Sequence, residues 1–166
     1  MAVMFLVITS GNSRIDQVNN KLVCKGALYP VHTLLSQKEK TMNNYSDNAT
    51  AVAAVLSTYF EGIFNGDAEL LRSTFHPQAL VIGDVNGQPY FKNLDQYIDG
   101  VKNRKSPREL NETFRMEILS IEIINSIAIV KARVPMFDFN YHDLLSLNKI
   151  DGKWVIVNKL LTNVNA

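Results

Sequence analysis

The apolar positions of this chain fall into two rhythms. Val52, Val55, Leu56, Tyr59, Phe60, Ile63 and Phe64 recur at three- and four-residue spacing and predict one stripe of an amphipathic helix. Asp47 or Asn48 is placed to cap its start, because either side chain accepts from a free backbone N–H. Asn65-Gly66 ends it, since both residues tolerate positive φ. Asp67 caps a short second helix through Leu70, Leu71 and Phe75, stopped by His76-Pro77. Ala79–Gly83 reads as a strand, Asp84–Pro89 as a turn and Tyr90–Lys92 as a short strand. Asn93 then starts a third helix carrying Leu94, Tyr97, Ile98 and Val101, followed by a polar, basic loop at 102–109.

Beyond that loop the rhythm changes to alternation. Thr113–Ile123, Ile127–Phe137, Phe139–Ile150 and Lys153–Thr162 predict four strands, with Asn125-Ser126 and Asp151-Gly152 as hairpin turns. Helices first and an antiparallel meander afterwards imply an α+β fold.

The first 41 residues fit neither rhythm. Met1 to Ile8 is apolar, but it lacks the charged start and longer apolar stretch of a secretory signal. Residues 9–40 show no sustained periodicity, so residues 1–41 are expected to be a poorly ordered extension or sequence upstream of the true start. Charge agrees with that seam. Arg14, Lys21, Lys25, Lys38 and Lys40 outnumber Asp16 and Glu39 before Met42, whereas acidic residues exceed basic ones after it. The working domain is expected at residues 42–166.

Composition excludes several classes. The chain has 166 residues, of which 46% are hydrophobic, enough for a normal core without covalent staples. A formal net charge of +1 gives no basic surplus for nucleic acid. With one cysteine, Cys24, no disulfide framework or thiolate zinc site can form within one chain. His32, His76 and His142 lack metal-ligand spacing, no Gly-rich phosphate loop occurs, and no apolar run is long enough to cross a membrane. The expectation is a cytoplasmic protein without cofactor or metal.

The segments IFNGDAELLRSTFHPQALV and NKIDGKWVIVNKLL, in that order, carry a resemblance. Across Ser46 to Asn163 the chain resembles the nuclear transport factor 2-like superfamily, within it the bacterial lumazine-binding proteins. The resemblance implies a cone-like roll: three N-terminal helices packed on a curved, mainly antiparallel sheet, with a cavity open at one end. It also implies a homodimer through the long strands, and the mixed outer positions Ile127, Ile129, Lys131 and Arg133 are compatible with one.

Catalytic residues carry over unevenly. Ketosteroid isomerases of this superfamily use a first-helix tyrosine eight residues before the Asp of the Gly-Asp turn, which corresponds to Tyr59. Tyr59 is an oxyanion donor on that reading and a core residue of the stripe on the other. The isomerase base position falls on Gly83, with Asp84 one residue further and, by alternation, facing the opposite side. Asp143 falls near the second oxyanion donor, and His142 beside it faces away. The dehydratases' first-helix Tyr-Asp pair falls on Ile63-Phe64, so their machinery is absent.

His76 at a helix end, Asp138 at a strand junction, and Phe60, Ile63 and Tyr97 on the helices are further candidates to line the cavity. Trp154 and Ile156 share a face of the last strand, strict alternation adds Asn158 to it, and Trp154 and Asn158 are candidates to line the cavity as well. Three functions remain open: a small-molecule binder with an apolar cavity, an isomerase or cyclase-like lyase using Tyr59 with Asp84, Asp143 or His142, and a non-catalytic dimerising module.

Overall fold

A computed structural model describes the backbone of residues 17–18, 21–24 and 27–164, and the side chains of residues 44–164. The chain divides into two compact units, residues 1–44 and 45–166. Within the first, β1 (Gln17–Val18), β2 (Lys21–Cys24) and β3 (Ala27–Pro30) form a small antiparallel sheet. Residues 1–16, and with them the whole apolar run Met1 to Ile8, lie outside the described residues.

Helix α1 (Val31–Asn65) starts well before the expected cap. Asp47 and Asn48 are therefore interior to it, and Asn48 does different work: its side-chain oxygen accepts from Lys149 Nζ at 3.0 Å and Trp154 Nε1 at 3.3 Å. Those two bonds tie the helix to the last strands. The expected stripe is present, with Val52, Leu56, Tyr59, Phe60 and Ile63 buried.

The second helix, α2 (Ala68–Ser73), is capped by Asp67, which accepts from Leu70 N at 2.9 Å. It stops before Phe75 rather than including it, because Phe75 already opens strand β4 (Phe75–Val85) and pairs with Ile156. Strand β5 (Gln88–Asn93) returns along β4, and α3 (Leu94–Lys102) follows with the reciprocal Asn93–Gln96 capping box. The long meander is β6 (Glu117–Ile124), β7 (Ile127–Met136), β8 (Phe139–Ile150) and β9 (Lys153–Val164). Residues 113–116, expected in β6, precede it as irregular chain.

These six strands form one sheet in the order β5-β4-β9-β8-β7-β6. All neighbours are antiparallel except β4 and β9, so the sheet is mixed where its first and last strands meet. The inner face carries Val81, Val130, Ala132, Val134, Leu145, Leu147 and Ile156, packed with the helix residues into one core. The outer face leaves Ile129, Leu144 and Leu160 each about half exposed.

One irregularity sets which side chains point inward on β9. Ser146 pairs with Asn158 and Leu147 with Ile156, so Val157 is an extra residue, a β-bulge. Before it Trp154 and Ile156 are buried; after it Lys159 and Leu161 are. Alternation across the bulge would have continued to Asn158, but the extra residue turns Asn158 out of that row. Its amide donates to the Leu80 carbonyl at 3.4 Å instead.

The position matching the isomerase base is closed to any side chain. Gly83 pairs with Leu161, and a methyl group built on it would overlap the Leu161 carbonyl oxygen. Gly83→Ala is expected to lower unfolding stability by about 2 kcal/mol or more, as overpacking against backbone does. Urea denaturation measures it, and an unchanged midpoint would contradict this β4–β9 contact.

Candidate active site

Three buried polar side chains meet inside the core. Tyr59 comes from α1, Asp143 from β8 and Lys159 from β9, and Tyr59 and Asp143 have no solvent exposure. The Tyr59 hydroxyl donates to Asp143 Oδ2 at 2.7 Å. Lys159 Nζ donates to the Tyr59 hydroxyl at 2.6 Å and lies 3.0 Å from the same carboxylate oxygen. Its third neighbour is the Tyr97 hydroxyl at 3.5 Å.

Sheet register explains why Asp143 and Lys159 meet. Asp143 pairs with Leu161 and Leu145 pairs with Lys159, which makes Asp143 and Lys159 diagonal neighbours on the inner face. Tyr59 reaches them because it lies on the buried stripe of α1, wedged edge-on against Phe75 at 5.9 Å between ring centres.

Burial of charge makes this cluster electrostatically tense. Burial, then the Asp143 carboxylate, holds the Tyr59 phenol well above its ordinary range, so it stays neutral. Burial alone works against the Lys159 ammonium, but Asp143, with help from Tyr97, outweighs it and leaves Lys159 above an ordinary amine. Asp143 Oδ1 is buried with no hydrogen-bond partner, so the carboxylate keeps one acceptor unused.

Lys159 also opens onto a cavity of about 80 Å³, lined by Val85, Tyr90, Tyr97, Arg104, Met136, Tyr141 and Leu161 as well. Three tyrosines and two cations make this space more polar than the apolar cavity expected. Larger depressions exist, but they are open hollows on the surface: one on the outer sheet face at Lys131, His142, Leu144 and Leu160, another beside Arg133 and Asp138.

The remaining sequence candidates distribute as follows. Asp84 accepts from Gly87 N at 3.3 Å and serves the β4–β5 turn. His142 sits on the outer face, opposite Arg133 and Thr162. His76 Nδ1 accepts from Gln78 N at 3.2 Å. Asp138 is exposed in the β7–β8 turn with φ 62°. Phe60, Ile63 and Trp154 are buried in the core without lining the cavity. Asn158, just past the bulge, is turned out of the inward row and donates to the Leu80 carbonyl. Tyr59, Asp143 and Tyr97 are the candidates that the fold gathers around one point.

Lys159 itself was missed, because alternation from Trp154 assigned it to the outer face. A signal was present: Asn158-Lys159 followed by Leu160-Leu161 breaks the alternation, and such a break marks a bulge.

Comparison with known proteins places the domain. The family described as "Putative lumazine-binding" matches residues 47–162. The chain belongs to that family. Among curated proteins it is similar to "Aldolase FrzH" of Cladobotryum sp, with 31% identity over 122 residues covering 69% of this chain and 90% of the relative. Among solved structures, an NTF2-like protein of unknown function from Shewanella baltica OS155 matches with TM-score 0.65 and 25% identity, covering 74% of this chain and 98% of that one. A ketosteroid isomerase-like protein from Erwinia carotovora atroseptica matches with TM-score 0.52 and 14% identity, over 70% and 96% of the two chains. The fold is therefore the NTF2-like α+β cone.

The buried ion pair predicts a non-additive mutant cycle. Asp143→Leu or Lys159→Met alone leaves an uncompensated buried charge, and each is expected to cost about 3–5 kcal/mol. The double variant should recover most of that loss in urea denaturation; additive losses would contradict the pairing. Alkaline pH should act on the same cluster. The pKa values of Lys159 and Tyr59 are both raised on folding. The native state therefore holds protons that the unfolded chain releases near pH 10, and stability falls as pH rises beyond about 10. Melting temperatures from pH 8 to 11 test this, with a shallower decline expected for Tyr59→Phe.

Proposed function

We propose that this domain is an enzyme acting on a small carbonyl compound through an enol or enolate, of isomerase or carbon–carbon lyase type. The observation that carries the reading is the convergence of Tyr59, Asp143 and Lys159 within 2.6–3.0 Å beside a small cavity. Such chemistry needs a donor where negative charge gathers on oxygen and an acceptor for the released proton. Lys159 is the member of the trio that lines the cavity, and its ammonium turns the N–H that reaches Tyr97 only at 3.5 Å toward the carbonyl oxygen. Asp143 takes up the proton by relay. Lys159 gives a proton to the Tyr59 oxygen as Tyr59 gives its own to Asp143, and the amine so formed takes the substrate's proton and is an ammonium again.

In the lyase direction, a β-hydroxy ketone loses its hydroxyl proton and the Cα–Cβ bond breaks. The bonding electrons move onto the carbonyl oxygen as an enolate, held by Lys159. The enolate carbon then regains a proton from the Asp143–Tyr59 relay. One carbonyl compound becomes two, with no oxidant or cofactor consumed. The name of the curated relative, an aldolase, favours this direction over isomerisation. A second copy of the chain, implied by the resemblance, would pack on the outer sheet face, away from this site, where Ile129, Leu144 and Leu160 are exposed.

The test is proton exchange at carbon next to a ketone. Butanone in D₂O should gain deuterium in a protein-dependent manner, and diacetone alcohol should be cleaved to acetone. Tyr59→Phe and Lys159→Met are each expected to slow these reactions about 100-fold or more. Asp84→Asn and His142→Gln, placed outside the cavity, should stay within about twofold of wild type. Neither exchange nor cleavage, or equal rates in Tyr59→Phe, would overturn the reading.

A further inference from the structure

The cavity contains a second cation that the enolate chemistry above leaves unused. Arg104, in the loop after α3, lines the same 80 Å³ space as Lys159. Among the described residues it has no carboxylate partner; its guanidinium lies over the Phe137 ring at 4.7 Å and approaches Met136 Sδ at 4.0 Å. Its Nε is buried and makes no hydrogen bond. A buried donor left unpaired is costly, so the guanidinium is short of acceptors.

The surroundings hold Arg104 there rather than neutralise it. Phe137 adopts φ 55°, a conformation rare for a bulky residue, and its N–H donates to the nearby carboxylate of Glu112 at 3.0 Å. Glu112 is thus engaged with backbone, and the Phe137 ring becomes a platform for the guanidinium. Tyr90 and Tyr141 feel both cations. Burial raises each phenol first, while the positive charges of Lys159 and Arg104 act on both in the opposite sense. Two cations therefore face one tyrosine-lined space.

Resting on the enolate reading, we propose that the substrate is a small oxo acid, with its carbonyl oxygen on Lys159 and its carboxylate on Arg104. The guanidinium fork suits a planar carboxylate. Size points the same way. At about 10–15 Å³ for each water-sized occupant, the cavity accepts a handful of heavy atoms, enough for a carbonyl and a carboxylate on a short chain. A phosphate group would fill most of it and leave little room for the reacting carbons.

The experiment uses 4-oxopentanoate and its neutral amide as probes, titrated calorimetrically into the full chain. The acid should bind at least tenfold more tightly than the amide. Arg104→Gln should reduce that preference to within twofold, while Arg104→Lys, which keeps the charge and loses the fork, should retain part of it. Equal binding of acid and amide to wild type, binding of neither, or a preference that survives in Arg104→Gln would overturn the proposal. Deuterium exchange separates this failure from failure of the enolate reading. Exchange of butanone as fast as that of 4-oxopentanoate would refute the oxo acid and keep the enolate. Selective binding of the acid with no exchange of either compound would do the reverse.

Discussion

Placing Asp143 and Lys159 together in the core imposes most of what surrounds them. Two opposite charges taken out of water must satisfy one another closely, and each further polar group nearby must contribute to that balance. Lys159 has three donors and three neighbouring oxygens: Asp143 Oδ2, Tyr59 and Tyr97. Replacing the trio with hydrocarbon of equal volume would satisfy folding more cheaply. That such a cluster lies beside a cavity, not within a sealed core, is what favours a catalytic reading over a structural one.

The bulge at Val157 and the closed position at Gly83 are complementary features of the same strand pair. One extra residue in β9 turns Lys159 inward. Across from it, Gly83 lets β4 approach β9 so closely that no side chain fits there. β4 therefore presents no side chain at Gly83, while β9 brings a cation into the core.

Much of the architecture was legible along the chain. The α1 stripe, the Asn93 cap and the hairpins at Asn125-Ser126 and Asp151-Gly152 all depend on neighbours within a few residues, and there the reading from pattern and the structure agree. The start of α1 was not legible, because Asp47 and Asn48 resemble caps locally. Asn48 is claimed instead by Lys149 and Trp154, about a hundred residues away in sequence. The end of α2 was decided similarly, by the pairing of Phe75 with Ile156.

Sequence alone determined the order of elements from the α1 stripe onward, the α+β class, and Tyr59 and Asp143 as candidates, since periodicity, capping and motif spacing are local properties of a chain. Only the tertiary structure decided which polar groups meet. Asp84 went to a turn, His142 to the outer face, and Lys159 into the core. Side-chain direction alternates residue by residue along a strand, so a single bulge exchanges the two faces of everything beyond it. The position of such a bulge is set by pairing with another strand, and that information is shared between segments rather than written in either one.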